Sequence, residues 1–122
     1  ADYIREAKRK DYVEGEHDCA TFVTRWVDSR LGTKFTDSLG DYKSVMEGMR
    51  KHAPKGVCTR ISDELELLGY TAQTRAKAGA VALLSTGFGA IVGEDGYLYT
   101  PLSTLAGVVV IHPKHATAFY YV

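Results

Sequence analysis

The spacing of apolar residues changes once along this chain, near residue 70, and that change limits the folds open to it. Before it, apolar residues recur at helical intervals. Ile4, Ala7 and Val13 line a short first helix. Cys19, Phe22, Val23, Trp26, Val27 and Leu31 form the i, i+3, i+4, i+7, i+8 stripe of a half-buried second helix. Asp18 is placed to cap that helix, because its carboxylate can accept first-turn amides, and Gly32 is its stop signal. Residues 33–41 read as a loop. Tyr42, Val45, Met46 and Met49 mark a third helix. A fourth follows Pro54-Lys55-Gly56, with Ile61, Leu65 and Leu68 on one face and Gly69 closing it. Glu64 and Glu66 put acids early in that helix, as its dipole prefers.

After residue 70 the helical period is lost. Residues 80–84, 90–92, 97–99, 107–111 and 116–122 are short runs rich in β-branched and aromatic side chains. Ser85-Thr86-Gly87, Glu94-Asp95-Gly96 and His112-Pro113-Lys114 separate them as turns, and Asp95-Gly96 is a hairpin signal. Helices followed by a meander of strands predict an α+β fold, with the N-terminal helices packed on one face of a C-terminal antiparallel sheet.

With 122 residues the chain is read as a single domain, 1–122, able to bury one core unaided. Lys+Arg and Asp+Glu are equal in number, so no electrostatic footprint for nucleic acid or an anionic membrane is expected. The stretch Arg5-Glu6-Ala7-Lys8-Arg9-Lys10-Asp11 mixes both signs and reads as a solvated helix face. No apolar run reaches transmembrane length, so no membrane insertion is expected. No secretory leader is read at the start. Two cysteines, Cys19 and Cys58, fit reduced thiols in a cytoplasmic compartment better than a disulfide framework.

Cys19 is the residue with chemistry to offer. A thiol in the first turn of a helix meets the positive end of the dipole, which favours the nucleophilic thiolate. The competing reading is a small hydrophobe on an apolar face, the commonest role of a free cysteine. Cys58 also precedes a helix but has no acidic cap, and it reads as a packing residue. Gly87-Phe88-Gly89 is no phosphate loop, for it lacks a lysine and a following helix. Phe119-Tyr120-Tyr121-Val122 alternates faces as a closing strand, whose aromatic surface could also dock a partner. No cofactor and no metal are expected. His112-Pro113-Lys114-His115 has a metal-like spacing but no thiol or carboxylate to complete a site.

Asp18-Cys19 opening a helix ahead of a small antiparallel sheet, with Tyr12 and Gly15 upstream, resembles the papain-like cysteine peptidases of the NlpC type. The similarity is greatest to a small phage and prophage branch of that superfamily. It extends through Leu31-Gly32, Asp41-Tyr42 and Phe88-Gly89-Ala90-Ile91-Val92-Gly93. The resemblance implies a papain-like core and bacterial or phage enzymes that cut peptidoglycan peptides. It implies Cys19 as nucleophile, with its own backbone amide and Tyr12 directed at the oxyanion.

The departures from that pattern bear on activity. Ala20-Thr21 replaces the Ser-Gly that follows the family's cysteine, and Gly79-Ala80 replaces a Gly-Asp. The family's catalytic histidine opens a strand, and this chain has Gly87-Phe88-Gly89-Ala90 there. A substitute base would have to come from elsewhere. His17 precedes the cap and is expected to point away from the thiol, and His52 ends a helix. His112 and His115 bracket the turn between the last two strands and are the preferred candidates, on the condition that the sheet curls toward the Cys19 helix. Two readings stay open. One is a phage- or prophage-type relative with a degenerate site, a structural or binding component of a tail or related particle. The other is a cysteine peptidase or amidase acting through Cys19. The partner is accordingly a protein or a peptidoglycan peptide. The expected location is the cytoplasm of the producing bacterium or a phage particle.

Overall fold

The computed structural model describes residues 2–9, 19–38, 57–101 and 108–122, by backbone alone at 2 and 57–60. The elements run α1 (Asp2–Ala7), α2 (Cys19–Leu31), α3 (Phe35–Ser38), α4 (Val57–Leu67), then β1 (Val81–Leu84), β2 (Gly89–Val92), β3 (Leu98–Thr100), β4 (Val109–Ile111) and β5 (Ala116–Tyr120). The fold is therefore α+β, with the helices first and the sheet last. The third helix expected around Tyr42–Met49, together with Tyr12, Val13, His17, Asp18 and His52, lies outside the described residues.

All five strands form one antiparallel sheet in the order β4-β3-β2-β1-β5. The outermost strands, β4 and β5, are also consecutive in sequence. His112 and the 3₁₀ turn Pro113–His115 are all that join them. Four strand intervals span about 19 Å in a flat sheet, whereas this link reaches only about 14 Å. The sheet must curl until its two edges approach. A register shift between Leu83 and Leu84 opposite β5 supplies local bending. The amide of Ser85 donates to the His115 carbonyl at 3.0 Å, holding the start of β5 against the end of β1.

The curl gives the sheet two cores. Its convex face carries Val81, Ile91, Tyr99 and Tyr120, packed on Ile4, Phe22, Val23, Val27, Ile61 and Leu65 of the helices. Its concave face packs on itself through Ala82, Leu84, Ala90, Val92, Leu98 and Phe119. Period-two alternation sorts the residues, so neighbours Phe119 and Tyr120 belong to different cores. The inner face sets small side chains, Ala82 and Ala90, beside larger ones, Leu98 and Phe119.

Three local expectations need correction. Glu64 and Glu66 do not come early in the fourth helix, because α4 already begins at Val57 and they fall near its end. Residues 33–41 are not all loop, since Phe35–Ser38 form the short helix α3. Leu68, expected on the buried face of α4, is 55% exposed. The helix ends at Leu67 and the chain turns through Gly69 at φ +97°, which swings Leu68 off the stripe.

Candidate functional site

Cys19 is the first residue of α2. The cap-plus-stripe pattern put it there, and Gly32 at φ +71° ends the helix as expected, its amide bonded to the Asp28 carbonyl at 2.9 Å. The sulfur belongs to a residue only 4% exposed. Ala20, Thr21, Phe22, Val23 and Thr24 after it are buried too, so the whole start of α2 is sunk in the structure.

The strand start that would hold a catalytic histidine by resemblance is filled by Phe88 and Gly89. Phe88 is half-buried against the concave core, and Gly89 is buried and pairs with Leu83 across β1. His112 and His115 are both exposed on the turn between β4 and β5. His112 Nδ1 accepts the Lys114 amide at 3.0 Å, which makes its protonated nitrogen Nε2. Its ring meets Tyr97 edge-on at 5.9 Å. His112 spends its contacts on its own turn and on Tyr97. Tyr12 lies outside the described residues.

Other polar groups cluster along α2 and were missed from the sequence. The Asp28 carboxylate accepts from Thr33 Oγ1 at 2.6 Å, Thr36 Oγ1 at 2.7 Å, and the amides of Phe35 at 2.8 Å and Thr36 at 3.0 Å. It thus serves the exposed amides of α3 from the preceding helix. Burial pushes its pKa upward, but the hydrogen bonds from Thr33, Thr36 and Phe35 outweigh that and hold the carboxyl below its ordinary value. Thr36 Oγ1 also lies 3.0 Å from Thr24 Oγ1. The signal for this cluster was available as an aspartate followed by Thr33 and Thr36. Its reach across the Gly32 turn was not.

Tyr3 fixes α1. Its hydroxyl donates to the Phe22 carbonyl, and its ring lies 5.1 Å from the rings of both Phe22 and Trp26. Burial chiefly raises its pKa far above the ordinary phenol value. Arg25 works against the rise and Asp28 adds to it, leaving Tyr3 a neutral donor. On the β2–β3 hairpin, the Tyr99 hydroxyl and the Tyr97 amide both donate to Asp95. Among the described residues, no group of three or more His, Cys, Asp and Glu side chains is arranged to hold a metal ion. No helix among them is long and apolar enough to cross a membrane.

The family described as "Domain of unknown function (DUF6950)" matches residues 1–122. The chain belongs to that family. Neither the curated proteins nor the solved structures contain a significant match to it. For a DUF6950 member, the site can be described as a buried cysteine at the start of a helix that packs on an antiparallel sheet.

Proposed function

We propose that this DUF6950 chain is an NlpC-like, papain-like protein of phage or prophage type whose catalytic site has degenerated. It works as a binding or structural component of a tail or related particle. The observation that carries the reading is the filling of the base position. Phe88 packs into the concave core and Gly89 pairs with Leu83, so no proton acceptor stands there. A cysteine hydrolase without a base loses orders of magnitude in rate. The shielding of Cys19 at 4% exposure supports the same conclusion, because a nucleophile must touch its substrate.

A second reading rests on one observation. Cys19 occupies the first position of α2, where a nucleophile of this type belongs, and its placement favours an active peptidase or amidase on peptidoglycan peptides. Incubation of the protein with purified cell-wall stem peptides, followed by mass spectrometry, separates the two. No cleavage product is expected from the native protein. Cleavage that disappears in Cys19→Ala would establish the hydrolase instead.

A further inference from the structure

A groove runs between α1, the C-terminal half of α2 and the β2–β3 hairpin. It consists of two hollows of about 190 and 240 Å³ that share Ile4 and Glu94. The first is bounded by Tyr3, Trp26, Arg30, Gly79, Ile91 and Glu94. Arg30 stands about 16 Å along the helix axis from Cys19, so this groove is not the cysteine site.

The groove's polar groups divide sharply. Tyr3 has its hydroxyl committed to the Phe22 carbonyl, and Trp26 has its indole N–H committed to the Gly79 carbonyl at 2.7 Å. Those bonds lock the two rings, which lie 5.1 Å apart, as a rigid wall. The Arg30 guanidinium sits over the indole, 5.4 Å from the ring centroid. One of its nitrogens donates to the Val122 carbonyl at 3.3 Å. An arginine has five N–H donors, so most of the fork is left for a ligand. Glu94 also borders the hollow, and its carboxylate is exposed. The hollow therefore offers one cation and one anion on an otherwise apolar, aromatic lining. Small-molecule sites share that composition, with a few polar groups fixing orientation.

We propose that the first of these hollows, and not the second, which Arg5, Lys8 and Asp95 also line, binds a small zwitterion of the amino-acid or dipeptide class. Its carboxylate meets Arg30, its ammonium meets Glu94, and its apolar part lies against the half-buried rings of Tyr3 and Trp26. Charge complementarity selects the class. A purely anionic ligand would meet Glu94, and a purely cationic one would meet Arg30. Neither penalty applies to a molecule that carries both charges. The inference does not depend on whether Cys19 is catalytic.

The protein contains a single tryptophan, and it is the one in the groove wall, so its emission reports directly on occupancy. Titration with glycyl-leucine should change that emission saturably, with half-saturation at or below about 1 mM. N-acetylated glycyl-leucine and glycyl-leucinamide should each bind about tenfold more weakly or worse, since each loses one charge-assisted contact. Glu94→Gln should weaken binding of the uncapped dipeptide by a similar factor while leaving the emission of the ligand-free protein unchanged. Arg30→Gln should do the same for the carboxylate end, although it also unstacks the indole. Glu94→Gln is therefore the deciding variant. Absence of a saturable change, equal binding of a capped dipeptide, or undiminished binding by Glu94→Gln would each overturn the proposal. Peptide hydrolysis is a separate readout, so failure here leaves the reading of the cysteine site standing.

Discussion

Trp26 Nε1 donates to the carbonyl oxygen of Gly79 at 2.7 Å, joining the middle of α2 to a residue two positions ahead of the sheet's first strand. Gly79 is bound twice over, because its own amide donates to the Val92 carbonyl at 2.8 Å. It holds this position at φ +84°, a region that side chains other than glycine rarely enter. An added Cβ would lie 3.4 Å from Trp26 Cζ2, an ordinary contact, so backbone strain dominates the cost of substitution. Gly79→Ala is expected to destabilise the fold by about 1–2 kcal/mol. Trp26→Phe should cost about 2 kcal/mol, since it leaves the Gly79 carbonyl without its indole donor and removes packing against Tyr3. Urea unfolding followed by circular dichroism checks both, read as a lower midpoint at constant slope.

Asp28 gives the clearest dependence on pH. Its folded-state pKa is depressed, despite burial, by the hydrogen bonds from Thr33, Thr36 and Phe35. A depressed carboxylate contributes stability that is fully present above its unfolded pKa of about 4 and lost as pH falls through the lower folded value. Unfolding free energy should therefore decline below about pH 4, and Asp28→Asn should flatten that decline. Asp28→Ala should cost about 2 kcal/mol at neutral pH, because it strips acceptors from the first-turn amides of α3. A pH series of chemical denaturations on the native chain and both variants reads these effects. An unchanged acid limb in Asp28→Asn would place the acid sensitivity elsewhere.

The sequence carried the start and stop of α2, because a helix stripe from Cys19 to Leu31 and a glycine at position 32 are both local signals. The strands were legible for the same reason. β-branched runs and the turns at Gly87 (φ +89°) and Gly96 (φ +83°) place them within a residue or two. The curl of the sheet was not legible. It follows from β4 and β5 lying at opposite edges while only four residues join them, and that is a property of pairing rather than of composition. The Asp28 cluster escaped for a related reason. Asp28 and Thr36 belong to different elements, and only the turn at Gly32 brings them within 2.7 Å. For the candidate site, the position of Cys19 in the helix was readable, but its burial depends on what packs around the start of α2.

Gly93 and Tyr99 form a second close pair. A Cβ on Gly93 would come within 2.5 Å of Tyr99 Cε2 and 3.0 Å of Asp95 Oδ1. Tyr99 is 8% exposed and its hydroxyl is bonded to Asp95, so the ring has little room to retreat. Gly93→Ala should cost about 1–3 kcal/mol as an overpacking substitution. The Tyr99 hydroxyl is the main reason the Asp95 carboxyl titrates below its ordinary value, and the Tyr97 amide adds to it. In Tyr99→Phe the Asp95 pKa should move back toward the ordinary carboxylate value, as seen by carboxyl-carbon NMR titration. An unmoved Asp95 would mean that the hairpin amide alone sets its acidity.

Cys19 is the test of what this domain does. At 4% exposure its sulfur is shielded in the native state, so alkylation must wait for the start of α2 to open. Iodoacetamide should modify Cys19 at least about a hundredfold more slowly in native protein than in urea-unfolded chain, as expected for an opening that costs about 3 kcal/mol. The chain has two cysteines, so digestion and mass spectrometry must assign each label to Cys19 or Cys58. Opening governs the native rate only while closing outpaces labelling, and that rate should then rise with sub-denaturing urea. Slow labelling agrees with a cysteine kept for packing at a helix start, in a domain retained for binding. Fast labelling of Cys19 in the native protein would mean that the thiol reaches solvent readily. Peptide hydrolysis lost in Cys19→Ala would then return the domain to the peptidases, with its base still to be found among residues other than Phe88 and Gly89.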